Sequence, residues 1–508
     1  MSSQLSDVNT SSADLHLGLP LRWDTAADVV VVGYGGAGAV AAVTAHDRGA
    51  EVLVLEKQAE TGHTSNTQMS MGVFLCPDSV ADAIAVMQVA GRVNIERPES
   101  QDISEDVIAA WAQYAVCNRG WLSKMGASGF VPMADPGRKA DWPGLAAMKV
   151  YHLLDAEGGP GYGLDLFRFL DGAVRARGIA IHYESPAGGL VENARKEVVG
   201  VRAQQGGRPI AVQARRAVIL TAGGFEGDPV AQRTYLSIAP LAVGGNPGNT
   251  GDALRMAQEV GADLWHMAAM NGSLKMKFPD FPAAFEENFA SGSFIAVDRT
   301  GQRFKAENLL IGYSEVWNTL IHDTTRYTWP RIPVHYVFDE KRRRAGPIVF
   351  TKFGAAGPLG MYRWSADNSA EVARGWIAEA HSLAALGQRL GVNIAALEDE
   401  VARFNDAARS GRDDPMGRPS ASMEAIDTPP YFAVPLWPGL NNTFGGPRRN
   451  ARAQVMHVTS KPIRRLYSAG ELGSIFVNYP QSGANLSECI AFGRIAGENA
   501  AAEAPWTT

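Results

Sequence analysis

Asp28-Val-Val-Val-Val-Gly33-Tyr-Gly35-Gly-Ala-Gly38 reads as a buried strand running into spaced glycines, followed by a helical pattern to about Arg48 and a second strand that ends at Glu56. That order is a complete βαβ unit. Gly33 permits a tight turn, Gly35 the close approach of a pyrophosphate, and Gly38 the close packing of helix on strand. The start of the helix then faces the phosphates with its partial positive charge. Glu56 stands where a carboxylate accepts hydrogen bonds from ribose hydroxyls. A dinucleotide is the implied ligand.

Near the other terminus, Leu466-Tyr-Ser-Ala-Gly470-Glu471 ends a strand, and Gly483-Ala-Asn-Leu-Ser-Glu-Cys opens a helix expected over residues 484–501. Between these ends, a strand at 216–220 runs into Thr221-Ala222-Gly223-Gly224, paired glycines where backbone approaches a ligand. Gly248-Asn249-Thr-Gly-Asp252 starts a further helix, with Asp252 expected to cap it. One fold must therefore close through both termini. The expected class is α/β: a Rossmann-type FAD-binding domain over residues 1–266 and 428–508, discontinuous in sequence, with an inserted α+β substrate domain over 267–427. The insert is richer in aromatics and prolines, with amphipathic helices expected near 373–387 and 395–408. FAD is the simplest dinucleotide to span two ends of so long a chain.

Composition narrows the remaining classes. The chain has 508 residues, 46% hydrophobic and 20% charged, with 54 glycines, which suits a two-domain α/β enzyme rich in tight turns. Lys plus Arg number 47 against 53 acids, so no general basic field draws nucleic acid or anionic lipid. The basic run Lys341-Arg-Arg-Arg344 reads as a solvated face. Cys76, Cys117 and Cys489 show neither disulfide nor metal spacing, so no metal site is expected. The first twenty residues lack an apolar core, and the longest uncharged stretch, Val29 to Ala45, is too short to cross a bilayer. A cytoplasmic protein without a membrane span or nucleic-acid partner is expected.

Taken together, Glu56-Lys57, Gly62-His63-Thr64, Thr221-Ala-Gly-Gly and Ala469-Gly470-Glu471 resemble, in this order, the fumarate reductase and succinate dehydrogenase flavoprotein superfamily. The resemblance implies FAD, held by Gly33, Gly35, Gly38, Glu56, Lys57, His63, Thr64, Ala222, Gly223, Gly224, Asn249, Asp252, Gly470, Glu471, Asn485 and Leu486. His63 is similar to the histidine that succinate dehydrogenases bond to the flavin. Two states are thus open, a covalent link through His63 or a noncovalent histidine along the isoalloxazine.

Within the superfamily, Trp23-Asp24, Ala45-His46-Asp47-Arg48-Gly49 and Tyr479-Pro480-Gln481-Ser482-Gly483 resemble the 3-ketosteroid dehydrogenases. Fumarate reductases carry a His and an Arg for a dicarboxylate where this chain, counted back from Glu488-Cys489, has Phe476 and Pro480. An acid without its bidentate Arg loses far more than a ketone does, so a neutral carbonyl is favoured. The resemblance implies that the Tyr479 hydroxyl and the Gly483 N–H hold the ketone oxygen, each donor worth on the order of 3 kcal/mol as charge develops there. It implies Tyr313 as the base that takes the α-proton, following Gly301-Gln-Arg303-Phe304-Lys-Ala-Glu307, with Tyr327 and Tyr336 as substitutes. Such a tyrosine must be lowered from an ordinary pKa of about 10. Arg303 and Glu307 read as a structural ion pair.

The expected activity is thus FAD-dependent desaturation next to a ketone, by α-proton abstraction and hydride transfer to flavin N5. Its substrate is a 3-ketosteroid or related cyclic ketone, and its electron acceptor is unknown. The alternatives are an ene-reductase of the fumarate reductase type and a flavin-binding protein without turnover. Trp111, Trp121 and Trp142 are candidates for the substrate wall or for plain core.

Overall fold

Four consecutive valines cannot stand at an exposed strand, because alternate residues of a strand face opposite sides and both sides here are apolar. Val29, Val30, Val31 and Val32 are accordingly all buried, as the last four residues of β1 (Thr25–Val32). The computed structural model describes residues 19–94, 96–133, 141–236, 238–307, 315–357, 360–478 and 482–507. Tyr313, Tyr479 and Pro480 therefore lie outside the described residues.

β1 pairs in parallel with β2 (Val52–Leu55) on one side and with the strand Arg208–Leu220 on the other. The strand Pro462–Ser468 adds in parallel beyond Arg208–Leu220, and Ala180–His182 beyond β2. The C-terminal sequence thus lies two places from the N-terminal strand, as a fold closed through both ends requires. Between β1 and β2, α1 (Gly36–Asp47) is buried from Gly36 to Ala45. It packs against the C-terminal helix Ala484–Ala502, where Gly493 and Gly497 leave room for Val40 and Ala41.

A second sheet contains Leu274–Met276, Phe285–Glu286, Phe294–Val297, Val334–Asp339, Ala378–Ala380 and Tyr431–Leu440, joined by the short strand Ala242–Val243. Tyr431–Leu440 is its long spine, antiparallel to Val334–Asp339 and Leu274–Met276. This corrects the expected return at residue 428, because the chain leaves the second sheet only after Leu440. Its residues alternate against Phe338, Tyr336 and Val334, and that pairing holds them with the insert.

Other expectations need similar correction. The helix expected over 373–387 is two helices, Ser369–Ala373 and Leu383–Leu390, around the strand Ala378–Ala380. Gly375, at φ +74°, turns the chain out of the first, and the Ser382 hydroxyl caps the second by accepting from the Ala385 N–H at 3.1 Å. The basic run is not a free solvated face: Arg342 is buried over the Phe289 ring at 4.9 Å, Arg343 pairs with Glu340 and Asp367, and Lys341 with Asp427. Trp111 is fully buried, edge-on to Phe476 at 5.4 Å, and Trp121 and Trp142 pack on the same core. No helix among the described residues is long and apolar enough to cross a membrane.

Candidate active site

A cavity of about 320 Å³ lies between the two sheets, floored by the carboxyl ends of the parallel strands. Gly33 has φ +98°, and a Cβ there would stand 2.6 Å from the Ala222 Cα, so only glycine lets these two strand ends meet. A Cβ on Gly38 would lie 2.1 Å from the Gly33 carbonyl oxygen, which makes this glycine the packing contact the motif demands. At Gly35 the nearest atom to such a Cβ is 3.7 Å away, so backbone is bare towards the cavity at the start of α1.

The structure brings Gly33, Gly35, Glu56, Lys57, His63 and Thr64 to the cavity wall. Ala222, Gly223, Asn249, Asp252, Gly470, Glu471, Gly483, Asn485 and Leu486 line it as well. Gly38 and Gly224 stand behind the wall, Gly224 because a Cβ would strike the Thr443 hydroxyl at 2.2 Å. Asp252 does not cap its helix; Gly251 occupies that position. Instead Asp252 receives the Lys57 ammonium at 2.6 Å, which fixes the lysine beside Glu56.

Glu56 already accepts the Tyr34 N–H at 2.9 Å and the Gln58 N–H at 2.8 Å. Burial opposes its charge, but these bonds and His63 prevail and hold it below the usual carboxylate range. His63 lies with its Nε2 3.7 Å from the Glu56 carboxylate, among the rings of Tyr34, Phe167 and Tyr183. The histidine thus stands beside the carboxylate read as the ribose partner.

Asn66 takes the central place instead, and sequence reading passed over it. Its Nδ2 donates to Glu226 at 2.7 Å and to Glu471 at 2.9 Å, and the Asn249 Nδ2 donates to the same two carboxyls at 2.8 and 2.9 Å. Burial pushes both carboxyls upward, Glu226 to about 7, and the charge of Glu226 raises Glu471 further. Two acids sharing two amide groups cannot both ionise cheaply, so the pair keeps a proton near neutrality. The signal was present in Ser65-Asn66-Thr67, where Ser65 caps a short helix and Thr67 accepts the Gly36 N–H at 3.0 Å.

The C-terminal helix opens onto the cavity through Gly483, Asn485 and Leu486, so its positive end faces inward. Behind it, Arg449 is fully buried and donates to the Gly470 carbonyl at 2.7 Å and to Glu488 at 3.0 Å. This arginine ties the Gly470–Gly473 turn to the helix. The side-chain oxygens of Asn271 and Asn485 are buried in the same wall with no partner among the described residues, an arrangement that calls for a ligand donor.

The substitutes for Tyr313 fall away. Tyr327 is 79% exposed, and Tyr336 is fully buried between Phe289 and Phe294 in the second sheet; neither lines the cavity. Arg303 and Glu307 are the buried structural pair expected, bonded at 2.6 and 2.7 Å and joined by Arg418 and Asp414. Phe476 is buried core against Trp111 and offers nothing to an acid.

The model of the FAD binding domain family matches residues 28–486. The chain belongs to this family. It is, at the level of that family, an FAD-dependent oxidoreductase acting on CH–CH bonds. It is similar to fumarate reductase (cytochrome) of Shewanella frigidimarina, 26% identical over 487 residues, covering 93% of this chain and 77% of the relative. It is also similar to 4-oxocyclohexanecarboxylate 2-dehydrogenase of Sinomonas cyclohexanicum, 27% identical over 364 residues, covering 65% of this chain and 58% of the relative. Among solved structures, 3-ketosteroid delta1-dehydrogenase from Sterolibacterium denitrificans, in complex with 1,4-androstadiene-3,17-dione, superposes with a TM-score of 0.77. It is 22% identical and covers 94% of this chain and 100% of its own, which establishes the shared fold. The bare backbone at Gly35, the α1 start and the orphaned asparagine oxygens fit FAD.

Proposed function

We propose that this chain desaturates a neutral cyclic ketone, introducing a double bond next to the carbonyl. One observation carries the reading: among the described residues the cavity wall has no arginine, and its lysine, Lys57, is already paired with Asp252. A dicarboxylate would enter a hollow whose lysine is engaged and where Glu286 offers its carboxylates no proton to bond. A ketone needs only donors. The inward end of the C-terminal helix at Gly483 supplies such an environment for an oxygen that gains negative charge.

Bound FAD supplies the hydride acceptor. Around it, Gly33, Gly35 and the start of α1 would hold the pyrophosphate, and Glu56 and Lys57 the adenosine side. The proposed roles of the chain's own groups are Tyr313 as base for the α-proton and Tyr479 with the Gly483 N–H as holders of the enolate oxygen. The ketosteroid and cyclohexanone chemistry in the names of similar proteins supports this reading.

The reverse reaction, reduction of an activated alkene, is favoured by one finding, the similarity to a fumarate reductase over nearly the whole chain. Anaerobic mixing separates the two. The desaturase should bleach its flavin with saturated ketones, from cyclohexanones to steroids, faster than reduced enzyme is reoxidised by the matching enones. Tyr479→Phe should slow bleaching by about a hundredfold or more. Unchanged bleaching in both Tyr479→Phe and Tyr313→Phe, or bleaching by succinate in preference to every ketone, would overturn the proposal.

A further inference from the structure

The end of the cavity against the second sheet carries a group the desaturation reading leaves unused. Along the run 270–276, Asn271, Ser273 and Lys275 alternate with apolar residues or glycine, and a strand's period of two sets them on one face. Lys275 stands directly opposite Glu286 in the antiparallel register of Leu274–Met276 with Phe285–Glu286. The Lys275 stem is fully buried between Gly244 and Gly439, where a Cβ on either glycine would strike its methylenes at 2.4 and 2.3 Å. Its ammonium donates to the Ser273 hydroxyl at 2.7 Å and to the Glu286 carboxylate, and Ser273 donates to Glu286 at 2.7 Å. Ser273 and Glu286 line the cavity; the lysine lies behind them.

Donor and acceptor accounting decides what this group can bind. The serine's single O–H is spent on Glu286, and the carboxylate has no proton to give, so the face turned to the cavity offers acceptors only. A ketone oxygen, itself an acceptor, gains nothing there, and a carboxylate, also an acceptor, finds no donor. The complementary group is a donor. Elsewhere on the wall, Gly483 and the positive helix end favour an acceptor, while Met69, Met71, Phe350 and Phe353 make part of it apolar.

We propose that the Ser273–Lys275–Glu286 cluster is a specificity site that reads a hydroxyl on the substrate, so that the preferred ligand is a hydroxyl-bearing cyclic ketone with its carbonyl at the Gly483 end. Glu286 accepts the hydroxyl's hydrogen bond, and Lys275 is a positioning residue that holds the carboxylate in the wall. The inference rests on the ketone reading for the pole at Gly483 and goes beyond it in naming the second functional group.

The test uses purified holoenzyme and two matched sets of ketones, cyclohexanones and steroids, each bearing a methyl, a hydroxyl or a carboxylate at the end far from the carbonyl. Binding is read from perturbation of the flavin spectrum and turnover from anaerobic bleaching. In at least one set the hydroxyl member should bind about tenfold or more tighter than the methyl member, with the carboxylate weakest. Glu286→Gln should erase the preference for hydroxyl over methyl and narrow the gap to the carboxylate, and Ser273→Ala should weaken the same preference. A merely structural ion pair would lower all three members alike. Equal binding of hydroxyl and methyl members by the wild type in both sets overturns the inference even if Glu286→Gln does not fold. Bleaching without hydroxyl preference defeats this inference alone, whereas hydroxyl preference in binding without bleaching by any ketone defeats the desaturase reading alone.

Discussion

The two ends of the cavity are built on opposite plans. At the dinucleotide end, Gly33, Gly35 and the start of α1 come from one continuous stretch, and the chemistry is mostly backbone: bare amides and a helix end. At the wall proposed to meet the substrate, Ser273, Lys275 and Glu286 come from two strands, and the chemistry is that of side chains whose burial is secured by glycines on other segments. Backbone chemistry needs only the right turn, so it tolerates almost any neighbours. Side-chain chemistry in a dry wall requires every partner present, because an unpaired buried charge costs several kcal/mol.

That difference predicts where the molecule is brittle, and the largest effect is expected at the buried charge behind the dinucleotide end. Arg449 binds the Gly470–Gly473 turn, which lines the dinucleotide end, to Glu488 on the helix that opens at Gly483. Arg449→Met leaves Glu488 buried without its cation and should cost about 3–5 kcal/mol, read as a lower urea midpoint, with loss of bound FAD on purification. Full stability with full flavin content would show that this turn and the helix are held together by packing alone.

The contrast also explains what could be read from sequence. Glycine spacing and Glu56 were legible because consecutive residues carry the whole device. Lys57 was placed at the site, but its partner Asp252 was assigned to capping, since only the fold shows that the two side chains meet. His63 drew attention for its reactivity, whereas Asn66, three residues on, was overlooked because its role exists only once Glu226 and Glu471 converge from distant strand ends. The alternation of Asn271, Ser273 and Lys275 was readable as a polar strand face. Its orientation towards a cavity was not, because that depends on Tyr431–Leu440 joining the second sheet.

A smaller effect sharpens the comparison at the carboxyl pair. Burial holds Glu226 at about 7 against an ordinary 4.5, so the folded state binds its proton more tightly than the unfolded chain does. For an acid raised in this way, stability is highest below the unfolded value and is lost as pH rises from about 4.5 through about 7. Glu226→Gln keeps the group neutral at every pH. In the flavin-free protein it should match the wild type near pH 4 and exceed it near pH 8, by on the order of 2–3 kcal/mol, in thermal melts across that range. A variant that is less stable at every pH would mean that the ionised carboxylate is the form the site needs.

The smallest expected effect asks whether the two plans also unfold separately. Asn393 caps the helix Ile394–Ser410, its side-chain oxygen accepting the Ala396 N–H at 3.1 Å, and that helix packs only its apolar face on the second sheet. Asn393→Ala should cost about 1 kcal/mol. If the sheets melt as one unit, flavin release and loss of helical signal shift together to lower temperature. If the second sheet opens first, helical signal falls early while flavin release stays where it was. The buried interface through Gly244, Gly439 and Lys275 argues for the joint shift, because opening the insert would expose the lysine and its carboxylate before any compensating contact forms.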